Sequence, residues 1–91
     1  MKDLSGKVAV ITGGASGLGK AFAEKFGSAG MKLALADVEV PVLEETVANL
    51  RSTGIDVIGI PCDVSNADSV KNFSDSVFSE FGGAHLLCLN A

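Results

Sequence analysis

Apolar runs alternate along this chain with segments whose apolar residues recur at helical spacing, and no other feature narrows the possible folds as much. KVAVITG, residues 7–13, is a short β-branched run closed by glycine, which predicts a buried strand. MKLALAD (31–37), IDVIGIPCD (55–63) and AHLLCLNA (84–91) repeat the pattern, with Pro61 placing the end of the third run. Between the first two runs, Leu18, Phe22, Phe26 and Ala29 form one helical stripe, and Gly30 suits the position just past a helix end. Pro41 fits the first turn of a second helix, whose inner face is Leu43, Val47 and Leu50 and which ends near Gly54. The third helical segment, 65–82, opens with Ser65 three residues before Asp68, a capping-box-like pair. It carries Val70, Phe73, Val77 and Phe81 on one side and stops at Gly82.

The element order is therefore β-α-β-α-β-α-β. Repeated β-α-β units require parallel strands joined by right-handed crossovers, so the expected fold class is α/β, a Rossmann-type doubly wound parallel sheet. In the dinucleotide-binding version the strand order is 3-2-1-4. That order separates the third and fourth strands by about three spacings of roughly 4.8 Å. Cys62 and Cys88 then lie beyond the ~7 Å Cα separation that a disulfide tolerates. The expected domain is 1–91, the N-terminal part of a single dinucleotide-binding domain, truncated after its fourth strand.

Composition agrees with such a fold and excludes others. At 47% hydrophobic and 20% charged residues the chain has a globular balance, not a disordered one. Its mean hydropathy of +0.40 is high. No apolar run approaches the roughly 18 residues of a membrane span, so the excess suits strands buried on both faces. A net charge of −4 argues against nucleic acid as a partner, because phosphate backbones are held by clustered Lys and Arg. MKDLSGKVAV lacks the apolar core of a secretory signal, and two cysteines suit a reducing compartment. The expected location is cytoplasmic, with no membrane partner.

The stretch GASGLGKA, residues 14–21, admits two phosphate-binding readings. Gly14, Gly19 and Lys20 match the opening of a triphosphate loop, which also needs a Ser or Thr after the lysine to hold Mg²⁺. Ala21 stands there instead. Gly13, Gly17 and Gly19 match a dinucleotide loop, in which small residues admit the pyrophosphate and the following helix points its N–H groups at the charge. That reading needs an acidic residue about 20 positions on, at the tip of the second strand, to accept from the adenosine ribose hydroxyls. Asp37 stands 18 residues after Gly19, at the end of that strand. Its carboxylate repels a 2′-phosphate, which favours NAD over NADP, and neither neighbour is basic.

Thr12-Gly13-Gly14-Ala15-Ser16-Gly17-Leu18-Gly19 resembles the Thr-Gly-x-x-x-Gly-x-Gly loop of the short-chain dehydrogenase/reductase family. LSGKVAVITGG is similar to the family's opening, and CDVS places Asp63 and Val64 where the family contacts adenine. Asn90 and Ala91 match its Asn-Asn-Ala-Gly segment, with Leu89 replacing the first Asn. The resemblance covers the whole chain and implies NAD as cofactor and an oxidoreductase that moves hydride between NAD and an alcohol or ketone substrate. The cofactor-binding residues it implies are Gly13, Ser16, Gly17, Leu18, Gly19, Asp37, Asp63, Val64, Asn90 and Ala91. Ser16 agrees with Asp37, since NADP-preferring members often carry a basic residue there.

No catalytic residue is carried over. The family's Ser and its Tyr-x-x-x-Lys pair fall downstream of Ala91, and this chain contains no tyrosine. The 91 residues alone are expected to be inactive, and to self-associate through the open edge of the fourth strand or act in a homo-oligomer. Two alternatives remain at this stage: a small non-catalytic nucleotide-binding protein, and a degenerate triphosphate loop. His85 has no metal-ligand partner at suitable spacing, so it reads as a structural or surface residue, and no metal site is expected.

Overall fold

The computed structural model describes residues 4–15 and 17–88. Strands β1 (Val8–Thr12), β2 (Lys32–Asp37) and β3 (Val57–Pro61) alternate with helices α1 (Gly17–Ser28), α2 (Val40–Ser52) and α3 (Ala67–Phe81). The three strands are parallel, with Val8 beside Lys32, Leu33 beside Val57 and Asp37 beside Pro61. The backbone of Leu86–Cys88 (β4) runs parallel along β1, Ala9 facing Leu86. This is a Rossmann-like α/β frame.

Burial on both faces explains the unbroken apolar runs. All five residues of β1 are buried, as are the inner four of β2. Alternate residues point to opposite faces. Ala9, Ile11, Leu33 and Leu35 join Ala23 of α1 and Leu43, Val47 and Leu50 of α2 in one core. Val8, Val10, Ala34 and Ala36 join Phe73 and Val77 of α3 in the other. The α3 crossover therefore covers the face that α1 and α2 leave open. β3 is only partly covered, with Val57 buried and the next three residues half-buried.

Where chain and neighbour meet closely, glycine is the residue that fits. A Cβ on Gly59 of β3 would lie 2.5 Å from Val47 Cγ2, so α2 rests on the strand backbone. α2 begins with Pro41 in its first turn and buries Leu43, Val47 and Leu50, as the sequence predicts. α3 ends at Gly82, whose φ of 80° is left-handed and whose N–H donates to the Phe78 carbonyl at 2.8 Å.

Two sequence expectations need correction. Leu18 is 59% exposed, and α1 instead buries Gly19, Ala23 and Gly27. Small residues spaced four apart let α1 approach closely, so the bulkier Phe22 and Phe26 flank the contact half-buried, their rings stacked at 6.0 Å. A Cβ on Gly27 would meet Ile55 Cδ1 at 2.6 Å, which shows how near the helix comes. The cap of α3 is Asn66, not Ser65: its side chain accepts from the Ser69 N–H at 3.0 Å. Ser65 is engaged by Asp63 instead, one residue out of the expected register.

His85 is exposed and tied to the start of β1. Its N–H donates to the Val8 carbonyl at 2.9 Å, and its Nδ1 accepts from the Val8 N–H at 3.0 Å. Cys62 is buried and carries a free thiol. Among the described residues no helix is long and apolar enough to cross a membrane.

Candidate functional site

Parallel pairing brings the carboxyl ends of β1, β2 and β3 to one edge, and the predicted site residues follow those ends. The turn after β1 is fastened to β2, because the Ala36 carbonyl accepts from the Gly13 N–H at 2.7 Å and from the Gly14 N–H at 3.3 Å. Gly13 and Gly17 have φ of 64° and 59°, the left-handed region that glycine enters without a Cβ penalty. Nothing lies within 4 Å of a Cβ built on Gly17, so its flank is open.

Gly19 serves a different purpose. A Cβ there would overlap the Gly13 carbonyl oxygen and lie 2.7 Å from its carbon. The start of α1 is thus pressed against the loop backbone. No acidic residue occupies the first turn of α1, whose N–H groups and positive dipole end favour an anion. Leu18 projects from the same turn, exposed.

Asp37 joins the tip of β2 to this loop. Its Oδ2 accepts from the Ala15 N–H at 3.1 Å, and its Oδ1 accepts from the Glu39 N–H at 3.0 Å. Each carboxylate oxygen can accept a further hydrogen bond, so the group retains acceptor capacity.

Asp63, after β3, is exposed and differently employed. Its Oδ1 accepts from the Ser65 N–H at 2.9 Å and the Ser65 hydroxyl at 2.7 Å, while its own N–H donates to Ser69 Oγ at 2.9 Å. The Ser65 bonds stabilise the ionised carboxylate and hold its pKa below the usual 3.8. Val64, next in sequence, is 62% exposed. Ser16, Asn90 and Ala91 lie outside the described residues. The described residues hold no cluster of His, Cys, Asp or Glu suited to a metal ion.

Two residues at this edge escaped the sequence reading. Val38, immediately after Asp37, is 60% exposed, matching Val64 after Asp63. The repeated Asp-Val at adjacent strand ends was the available signal. Thr46 is buried, and its hydroxyl donates to the Ala15 carbonyl at 2.9 Å. Its place between Leu43 and Leu50 on an apolar face was visible, but its partner lies 31 residues away.

The short chain dehydrogenase family matches residues 7–91. A C alpha-dehydrogenase of Sphingobium sp. is 42% identical over 90 residues, covering 99% of this chain and 30% of that protein. A short chain dehydrogenase/reductase from Burkholderia phymatum, solved in complex with NAD, superposes with a TM-score of 0.92 at 53% identity, over 96% of this chain and 31% of that one. L-sorbose reductase of Gluconobacter frateurii, solved with NADPH and L-sorbose, gives 0.93 at 41% identity over 99% of this chain and 35% of its own. The chain spans about a third of the length of such relatives. A loop of this form, on this frame and with this similarity, establishes that the chain belongs to the short chain dehydrogenase family.

Proposed function

We propose that residues 1–91 are the N-terminal part of a single dinucleotide-binding domain of strand order 3-2-1-4, and that they hold NAD for an oxidoreductase acting on an alcohol or ketone substrate. The strand order is supported by the pairing of β1 with both β2 and β4, and of β2 with β3. The observation that carries the cofactor reading is the bond from the Ala15 N–H to Asp37 Oδ2. It places a carboxylate with spare acceptor capacity one hydrogen bond from a glycine turn.

In this reading the turn Gly13–Gly19, with Ser16, and the N-terminus of α1 hold the pyrophosphate, and Leu18 lies against the cofactor beside them. Asp37 accepts from the adenosine ribose hydroxyls. Val38 and Val64 offer apolar contact to the adenine ring, and Asp63 lies beside its edge. Asn90 and Ala91 complete the set of cofactor contacts. The fit is chemical: an anion meets N–H groups with no acidic side chain in the first turn, and a diol meets a carboxylate. Bound NAD supplies the hydride acceptor or donor, and we assign no catalytic residue within 1–91.

The carboxylate of Asp37 favours NAD over NADP, since a 2′-phosphate would bring a second negative charge beside it. A cytoplasmic homo-oligomer is part of the same proposal, supported by the reducing-compartment cysteine usage and by Phe78 of α3, which is 69% exposed. Light scattering tests the assembly.

Calorimetric titration of NAD into the purified protein tests the central claim. We expect saturable binding in the wild type and its loss on combining Asp37→Ala with Gly17→Val. Unchanged affinity in the folded double variant would remove the basis for the assignment.

A further inference from the structure

We propose that Thr46 is a positioning residue for the cofactor, acting through Ala15; the inference rests on the NAD-binding reading and adds to it a residue remote from the ligand. Thr46 sits on the inner face of α2 and is 3% exposed. Its hydroxyl donates to the Ala15 carbonyl at 2.9 Å, while the Ala15 N–H donates to Asp37 Oδ2 at 3.1 Å. The N–H belongs to the peptide unit before the Ala15 Cα, and the carbonyl to the unit after it. Both units are therefore tethered, one to β2 and one to α2. The Ala15 methyl is itself packed into the core, 2% exposed.

Such bracing answers a need created by the loop's composition. Ala15 lies between Gly13 and Gly17, both at positive φ, in a stretch where glycine leaves the backbone few preferences of its own. A loop that must order itself on binding loses affinity to that ordering. With Ala15 held at both ends, the turn is set before ligand arrives, and Asp37 is aimed by the same residue that the turn contains. Packing alone does not require the hydroxyl, because valine has the same shape and a core needs no buried donor. The hydroxyl is explained by the carbonyl it satisfies.

The test uses calorimetry with NAD and thermal melting on the purified protein. Thr46→Val should weaken NAD binding by about tenfold, the equivalent of one hydrogen bond. Thr46→Ser, which keeps the hydroxyl, should restore affinity to within about twofold of wild type. In the Asp37→Ala background the Thr46→Val effect should shrink to less than about twofold, because the two act through one residue. Should Thr46→Val not fold, Thr46→Cys keeps the volume with only a weak donor and carries the same expectation.

Equal weakening in both backgrounds, or no weakening, would overturn the positioning role. A wild type without saturable NAD binding would overturn the cofactor reading, and this inference with it. Binding that falls on Asp37→Ala but ignores Thr46→Val overturns the inference alone.

Discussion

A single methyl group at residue 19 tests how α1 meets the loop. Gly19→Ala would place a Cβ in overlap with the Gly13 carbonyl oxygen, 2.7 Å from its carbon and 3.0 Å from the Gly14 Cα, where ordinary contact begins at 3.4 Å. All three atoms are backbone, so none can swing aside like the end of a side chain. Helix propensity alone predicts the opposite sign, since Gly→Ala inside a helix gains about 0.8–1 kcal/mol. Overpacking costs typically about 1–3 kcal/mol, and a clash with fixed backbone belongs at or above the upper end. The net expectation is a loss of about 2 kcal/mol, which for a domain of this size lowers the Tm by roughly 8–16 °C. The strain is relieved by moving the Gly13–Gly14 turn off the helix, so NAD affinity should fall by about tenfold or more. Thermal melts and calorimetry read both effects. Gly54→Ala is the control: its φ of 87° carries left-handed strain, yet nothing lies within 4 Å of the added Cβ. It should destabilise without changing affinity. A Gly19→Ala protein as stable as wild type, binding NAD equally well, would refute the claim that this close approach shapes the site.

Two further expectations concern the carboxylates. At 4 Å, like unit charges repel by about 1 kcal/mol in bulk water and about 4 kcal/mol near a protein surface, so NADP should bind at least about fivefold more weakly than NAD. Asp37→Asn should shrink that ratio in parallel titrations, and an unchanged ratio would show that Asp37 does not set the preference. Asp63 has a depressed folded pKa, so its contribution is fully present above its unfolded value near 3.8 and is lost as pH falls through the lower folded value. Carboxyl NMR titration should therefore give an Asp63 midpoint below 3.8, moving back toward it in Ser65→Ala, because Ser65 supplies the shift.

Much of the frame was legible because its signals are local. The runs that became β1, β2 and β3 each lie within a few residues, and Gly30, Pro41 and Gly82 mark helix boundaries by their own backbone chemistry. What failed was the choice of face on α1. Periodicity weights side-chain size and so selected Leu18, Phe22 and Phe26, whereas close helix docking selects the smallest residues, Gly19, Ala23 and Gly27. The cap of α3 slipped by one because Ser65 and Asn66 are both good capping types, and the choice depends on Asp63 claiming Ser65. Within the loop, Gly13, Gly17 and Gly19 are one letter in the sequence. Only the fold separates two that need positive φ from one that needs the absence of a side chain.

The two Asp-Val pairs show the same limit and suggest why their roles diverge. Asp37 closes β2 and Asp63 follows β3, each precedes an exposed valine, and both lie at the carboxyl edge of the sheet. Their hydrogen bonds differ in reach. Asp63 accepts from Ser65 two residues on and so shapes its own turn into α3. Asp37 accepts from Ala15, 22 residues back, and so ties the tip of β2 to the loop after β1. A carboxylate that only shapes its own turn can be replaced with local consequences. One that bridges two βα connections fixes the distance between whatever each connection holds. For a ligand with a pyrophosphate at one end and a ribose beside it, that distance is the property to be controlled, and in the proposed reading Asp37 is the charge that would set cofactor choice.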